Sequence, residues 1–183
     1  MPHQPSTDSP DISSIATAVA TASPGRRRSR RWRLVAPLVA VVALGLAAAA
    51  CAPPGSPGSG ATGDMVQAVN QDRGAAGLGG LAWDSQLHGL AQRHADEIAA
   101  SGSLWHSDLG GWLAAPWMAG WRSLGENLAQ GSPGMNAWAI EDMWMGSAGH
   151  RANILNGGFN RIGVGVRVDG AGRVWMVALF GTR

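Results

Sequence analysis

Trp144-Met-Gly-Ser147-Ala-Gly-His150-Arg151-Ala-Asn153-Ile-Leu-Asn156-Gly-Gly-Phe159-Asn-Arg-Ile162-Gly163-Val-Gly165 joins the end of an apolar helical pattern to the start of a glycine-rich strand. It sets a histidine, an arginine and two asparagines at the junction of two core elements, where functional sites tend to be built. Downstream, Ile162, Val164, Val166 and Val168 alternate and so share one face of a strand, and Asp169-Gly170-Ala171-Gly172 is a turn signal. Arg173 to Phe180 then returns apolar on both faces, with Val174, Met176 and Ala178 on one and Trp175, Val177 and Leu179 on the other. A strand of that kind is covered on both sides and is central in its sheet.

Upstream of the junction the pattern is helical. Asp64 is the expected cap of a helix running to about Arg73, with Met65, Val66 and Val69 inward and Gly74 as its stop. Asp84 or Ser85 caps a second helix, in which Leu87, Leu90, Ala91, His94, Ala95 and Ile98 form a continuous stripe that ends at Gly102. Ser132-Pro133 predicts the start of a third, carrying Trp138, Ile140, Met143, Trp144 and Met145 as far as Gly146, with Glu141 and Asp142 on its solvated face. Helices before and a hairpin after give three layers, a sheet between helices.

Two features of this region have two readings each. His94 lies on the buried stripe, either as a hydrogen-bonded core residue or as a ligand. Leu109 to Leu124 carries Trp112, Trp117 and Trp121, which either cover the core in place of a regular element or form an apolar lip for a lipid or glycan.

The N-terminal third reads as an address. A basic run (residues 26–33) precedes Leu34 to Ala50, a stretch of 17 residues without charge, and then Cys51. Positive flank, apolar core and small residues are the plan of an export signal over residues 1–51. Ala48-Ala49-Ala50-Cys51 resembles the end of a lipoprotein signal with Cys51 lipidated, although Ala48 stands where leucine is usual. Cleavage with secretion is a second reading, and an uncleaved anchor a third, since such a helix rises about 26 Å against a hydrocarbon core of roughly 30 Å. All three place the domain outside the cytoplasm, on the cell surface or secreted. Residues 52–62, rich in Pro, Gly and Ser, are a tether. Residues 63–183 are enough to bury roughly two thirds of their unfolded surface.

Charge and cysteine usage narrow the function. From Ala52 onward eight arginines face ten acidic residues, so the folding part is mildly acidic, and no basic face argues for nucleic acid. Cys51 is the single cysteine, which excludes an internal disulfide framework and a multi-cysteine zinc site.

The order of pieces is specific: Asn70 and Arg73; Leu81-Ala-Trp83-Asp84; Leu87, Ala91 and His94-Ala95; Trp105-His106-Ser107; Gly125-Glu126-Asn127; Trp144 with Ser147 and Gly149-His150-Arg151; and Ile162-Gly163-Val-Gly165 before a closing apolar strand. It resembles the CAP superfamily, or SCP-like domain, in its compact bacterial form, from about Met65 to Phe180. The resemblance implies an α+β fold, a three-layer α-β-α sandwich with a short antiparallel-rich sheet. It also implies a cleft where two histidines and two acidic residues meet. The first histidine falls on His106, the first glutamate on Glu126 and the second histidine on His150. The second glutamate position, three residues after Trp144, holds Ser147.

Two neutral imidazoles and a carboxylate can hold a divalent metal such as zinc at His106 and His150, can do acid/base work with Glu126 orienting a histidine, or can tie loops to the sheet by hydrogen bonds. Ser147 in the acid's place leaves less charge to hold a metal. Gly146-Ser147-Ala148-Gly149 lacks the spacing of a nucleophile elbow, and no H-E-x-x-H helix is present. The favoured function is a cell-envelope binding module that holds a hydrophobic ligand or an envelope component, lipid or glycan, through the His/Glu cleft and Trp112, Trp117 and Trp121. The alternative is a metal-assisted hydrolase of peptide or cell-wall material, with His106 and His150 as ligands and Glu126 as base. Membrane contact is expected only through the N-terminal lipid or anchor.

Overall fold

The computed structural model describes residues 19–21 and 60–183. The expected lipidation of Cys51 and the basic and apolar parts of the export signal lie outside the described residues. Strand β1 (Val19–Thr21), from within the range read as that signal, is followed by helix α1 (Ala61–Ala75), β2 (Ala82–Trp83), α2 (Ser85–Ser101) and α3 (Leu109–Ala114). After a 3₁₀ turn at Pro116–Met118 come β3 (Ser123–Gly131), α4 (Ala137–Gly146), α5 (Ala148–Ile154), β4 (Arg161–Val168) and β5 (Val174–Thr182). One sheet runs in the order β1-β3-β5-β4-β2. All its pairs are antiparallel except β2 with β4, where Ala82 faces Arg161 and Trp83 faces Ile162.

β5 occupies the centre, as its two apolar faces require. Trp175, Val177 and Leu179 join Leu87, Leu90, Ala91, Ala95 and Ile98 of α2 in one core. Val174, Met176, Ala178 and Phe180 join Met65 and Val69 of α1 and Ile140 and Trp144 of α4 in the other. The fold is therefore α+β with the sheet between helical layers. Complete burial of each large apolar side chain contributes about 1.5–3 kcal/mol.

Helix limits follow the local chemistry. Asp84 caps α2 by accepting from the backbone N–H groups of Gln86 (2.9 Å) and Leu87 (3.0 Å), and Gly102 ends it in the left-handed conformation (φ 69°). α1 starts at Ala61, earlier than expected, because Gly60 takes the cap position and Asp64 sits in the first turn, its N–H bonded to Gly60 O. There its charge complements the helix dipole. Ser132-Pro133 does not start α4. Those residues form a turn, Met135 N–H reaching Ser132 O, and Asn136 caps the helix through Ala139 N–H (2.9 Å).

The tightest packing is between α2 and β4. Gly163 and Gly165 lie under the helix backbone, where a Cβ on the first would fall on Leu87 and His88 main-chain atoms and a Cβ on the second on Ala91. Only glycine allows the two backbones so close. Past its short pairing with β2, β4 is bonded by α2 side chains: His88 Nδ1–H donates to Val164 O (2.7 Å), Gln92 Nε2 to Val166 O (2.9 Å), and Gln92 Oε1 accepts from Val166 N–H (3.1 Å). Gly163→Ala or Gly165→Ala should lower stability by more than about 2 kcal/mol in urea denaturation, whereas Gly170→Ala, with open space around it, should stay within about 0.5 kcal/mol.

Besides Glu126, which belongs to the site, two charged residues are buried among those described. Arg73, 2% exposed, donates to the carbonyls of Gly79 (2.9 Å), Ile154 (2.8 Å), Asn156 (2.9 Å) and Phe159 (3.3 Å), fastening α1 to the connection between α5 and β4. Glu141, expected on a solvated face, is 3% exposed, while Asp142 is exposed. α4 turns Glu141 toward α1, where burial and then Asp72 push its carboxyl up to about 8. A raised value means that the folded state keeps a proton which the unfolded chain has released. Stability from this group is complete below the ordinary carboxyl range and is lost as the pH rises through about 8. Thermal melts from pH 5 to 9 should fall with pH in the native chain, and Glu141→Gln should flatten that decline.

Candidate functional site

Glu126 stands in the middle of β3 with no exposed surface. Its Oε1 accepts from His106 Nδ1 (2.9 Å) and from Ser107 N–H (2.8 Å), and its Oε2 from the Ser107 hydroxyl (2.7 Å). A buried carboxylate is tolerable when it is bonded in this way. Because a carboxylate only accepts, His106 carries a proton on Nδ1. Its Nε2 is buried and has no partner.

His94 forms the second contact to this carboxylate. Its Nε2–H donates to Trp105 O (2.8 Å) and lies 3.8 Å from Glu126 Oε2, while its Nδ1 is 3.5 Å from Glu97 Oε2. The ring is 4% exposed and meets Trp105 edge-on at 5.5 Å. His94 is thus a hydrogen-bonded core residue that also reaches the site. Its i+3 glutamate was the sequence signal that could have found this.

His150 enters from α5. Asn127 Nδ2 donates to His150 O (3.1 Å), and Asn153 Nδ2 donates both to Asn127 Oδ1 (2.9 Å) and to Glu126 O (3.0 Å). These buried amides fix α5 against β3, a structural role for Asn153. The His150 ring lies 6.3 Å from that of Trp144, and its Nε2 is also buried without a partner. Burial and then the charge of His106 hold His150 below the ordinary histidine value, so its protonation works against the fold as the pH falls. Ser147, half-buried at the break between α4 and α5, makes no capping bond to α5.

A cleft of about 360 Å³ opens beside His106, with Trp105, Trp112, Arg93, Glu97 and Asp108 among its lining residues. Only one of the three loop tryptophans expected at a ligand is there. Trp112 lines the cleft; Trp117, 52% exposed, lies 6.1 Å from it. Trp121 is core, 7% exposed, its indole N–H bonded to Gln86 Oε1 (3.1 Å) and its ring packed on Gly181 under the Arg183 guanidinium. Sequence reasoning passed over Arg93, Glu97 and Trp105 because a helix's exposed face and a residue next to a histidine carry no periodic signal.

The donors for a metal fall short. Two imidazole nitrogens are open, but both Glu126 oxygens are taken by His106 and Ser107, and among the described residues no group of three His, Cys, Asp or Glu is arranged to hold an ion. Catalytic zinc sites use three protein ligands. His106→Ala, by removing the neighbouring ring, should raise the His150 titration midpoint toward that of an ordinary histidine, as followed by imidazole NMR; an unchanged midpoint would show that the rings are uncoupled.

Comparisons with known proteins agree with this geometry. The family model described as CAP, cysteine-rich secretory protein family, matches residues 66–180. Pathogenesis-related protein 1 of Arabidopsis thaliana is 30% identical over 97 residues, 51% of this chain and 52% of that protein. The chain thus spans about half the length of that relative. Among solved structures, an extracellular SCP-domain protein from Bacillus anthracis is 26% identical with a TM-score of 0.54, over 67% of this chain and 40% of that one. An outer surface protein from Borrelia burgdorferi is 20% identical with a TM-score of 0.55, over 66% of this chain and 90% of that one, a likeness of fold. From its sheet between helical layers, its His106–Glu126 pair and the match across its folded part, this chain belongs to the CAP family.

Proposed function

We propose that the protein is an extracytoplasmic binding module of the cell envelope, which holds an envelope component or hydrophobic ligand in the cleft beside His106. The observation that carries this reading is the cleft itself: about 360 Å³, within the usual range for ligand pockets, with Trp105, Trp112 and His106 in its lining. The basic and apolar run before Cys51 supports export, with lipidation of Cys51 as the tether. The extracellular and outer surface descriptions of the Bacillus and Borrelia proteins point the same way. The geometry does not favour hydrolysis, since Ser147 stands where a second acid would assist and the one carboxylate is already committed to His106 and Ser107.

In this reading Glu126 is a positioning residue. It fixes the His106 ring, while His94 fixes the Trp105 backbone. The site is thereby organised before any ligand arrives, which lowers the ordering cost of binding. Removing one aromatic wall should weaken binding by about tenfold, ~1.4 kcal/mol. With the full chain and a lipid extract of bacterial envelope, Trp112→Ala should reduce bound material by that factor. Trp121→Ala should instead lower the melting temperature, and His150→Ala should leave uptake near the native level. Equal uptake by native and Trp112→Ala protein would sink the reading.

A further inference from the structure

We propose that the cleft takes a neutral sugar ring, one pyranose unit of a glycan, rather than an acyl chain. This rests on the reading of that cleft as the binding site. Its lining mixes flat aromatic surface with charge of both signs. Trp105 is 41% exposed, Trp112 is half-buried, and Trp117, 52% exposed, continues the aromatic surface outward at 6.1 Å from Trp112. Arg93 supplies donors, Glu97 and Asp108 supply acceptors, and the His106 ring joins the lining.

A sugar ring matches both halves of this set. Its C–H face lies against indole as apolar surface, and each hydroxyl donates to a carboxylate and accepts from a guanidinium. An acyl chain would satisfy none of these groups and would cover part of the polar surface of Arg93, Glu97 and Asp108 without compensation. A polyanion would meet two carboxylates, Glu97 and Asp108, against one arginine. The wall is also set in advance. His94 holds Trp105 through its carbonyl (2.8 Å) and braces the ring edge-on, and Asp108 caps α3, which carries Trp112, by accepting from Gly111 N–H (2.8 Å). Rigid aromatic surface is what a weakly held, solvated ligand needs, because little binding energy is then spent on ordering the protein.

The test uses the full chain and soluble trisaccharides of glucose, mannose, galactose and N-acetylglucosamine, with palmitate in parallel. Saturation-transfer NMR should show at least one trisaccharide bound through the C–H protons of one ring. Trp105→Ala and Trp112→Ala should each weaken that binding by about tenfold in calorimetry. Glu97→Gln, on a side chain 63% exposed and so without risk to the core, should weaken it less but measurably. Trp105→Phe, which keeps a flat face, should retain most of it. Transfer that survives both alanine substitutions overturns the proposal. Palmitate bound in a way that those substitutions abolish would overturn the sugar and keep the cleft as a site. Failure of every probe overturns both.

Discussion

The backbone of α2 rests directly on the backbone of β4, and much else in the structure depends on that contact. Two glycines two residues apart in a strand, Gly163 and Gly165, advance by about 6.6 Å, while Leu87 and Ala91, four residues apart in a helix, advance by about 6.0 Å. The two spacings nearly coincide, so successive helical turns settle over successive glycines. The same register presents His88 and Gln92 to the backbone groups of Val164 and Val166. A helix thereby finishes the hydrogen bonding of a strand whose neighbour β2 is only two residues long. Fixing α2 in this way also fixes what it carries on its other sides: Arg93, His94 and Glu97, three residues of the cleft.

Buried polar groups extend this control across the sheet. Arg73 bonds four carbonyls of two connections, and Asn127 and Asn153 join β3 to α5. Trp144 donates its indole N–H to Leu128 O (3.0 Å), so α4 and α5 both bond the backbone of β3 beyond its pairing with β1. Removing one member of such a set leaves the others unsatisfied, at about 1–3 kcal/mol for each buried group. His106, Glu126 and His150 come from a loop, a strand and a helix, and this network is what makes them one site.

Periodicity made α1, α2 and α4, the central position of β5 and the layer order legible, because those follow from which residues must leave water, whereas the short helices α3 and α5 carry no such stripe. The resemblance to a family singled out His106, Glu126 and His150, and the structure brings the first two into hydrogen-bond contact. What escaped was set by tertiary contact. Glu141 has the pattern of a solvated residue and is buried only because α1 packs over it. Trp121 lies in the same loop as Trp112, yet Gly181 leaves space under its ring and draws it into the core. Ser132-Pro133 has the composition of a helix start, but Asn136 captures a backbone N–H better placed for the helix that forms.

Ser147 bears on why the centre of the site holds a single carboxylate. One carboxylate, bonded by His106, Ser107 N–H and the Ser107 hydroxyl, carries all the negative charge that the adjoining imidazoles meet, and burial together with His106 holds His150 toward its neutral form. A second buried carboxylate would need its own donors, and the polar residues around it are already engaged: Asn127 with His150, Asn153 with Glu126 and Asn127. With serine there, the burial cost of a second charge is avoided and no added carboxylate draws His150 toward its charged form. Serine at that position thus leaves one buried carboxylate, already bonded by three donors, and so less charge near the imidazoles to hold a cation.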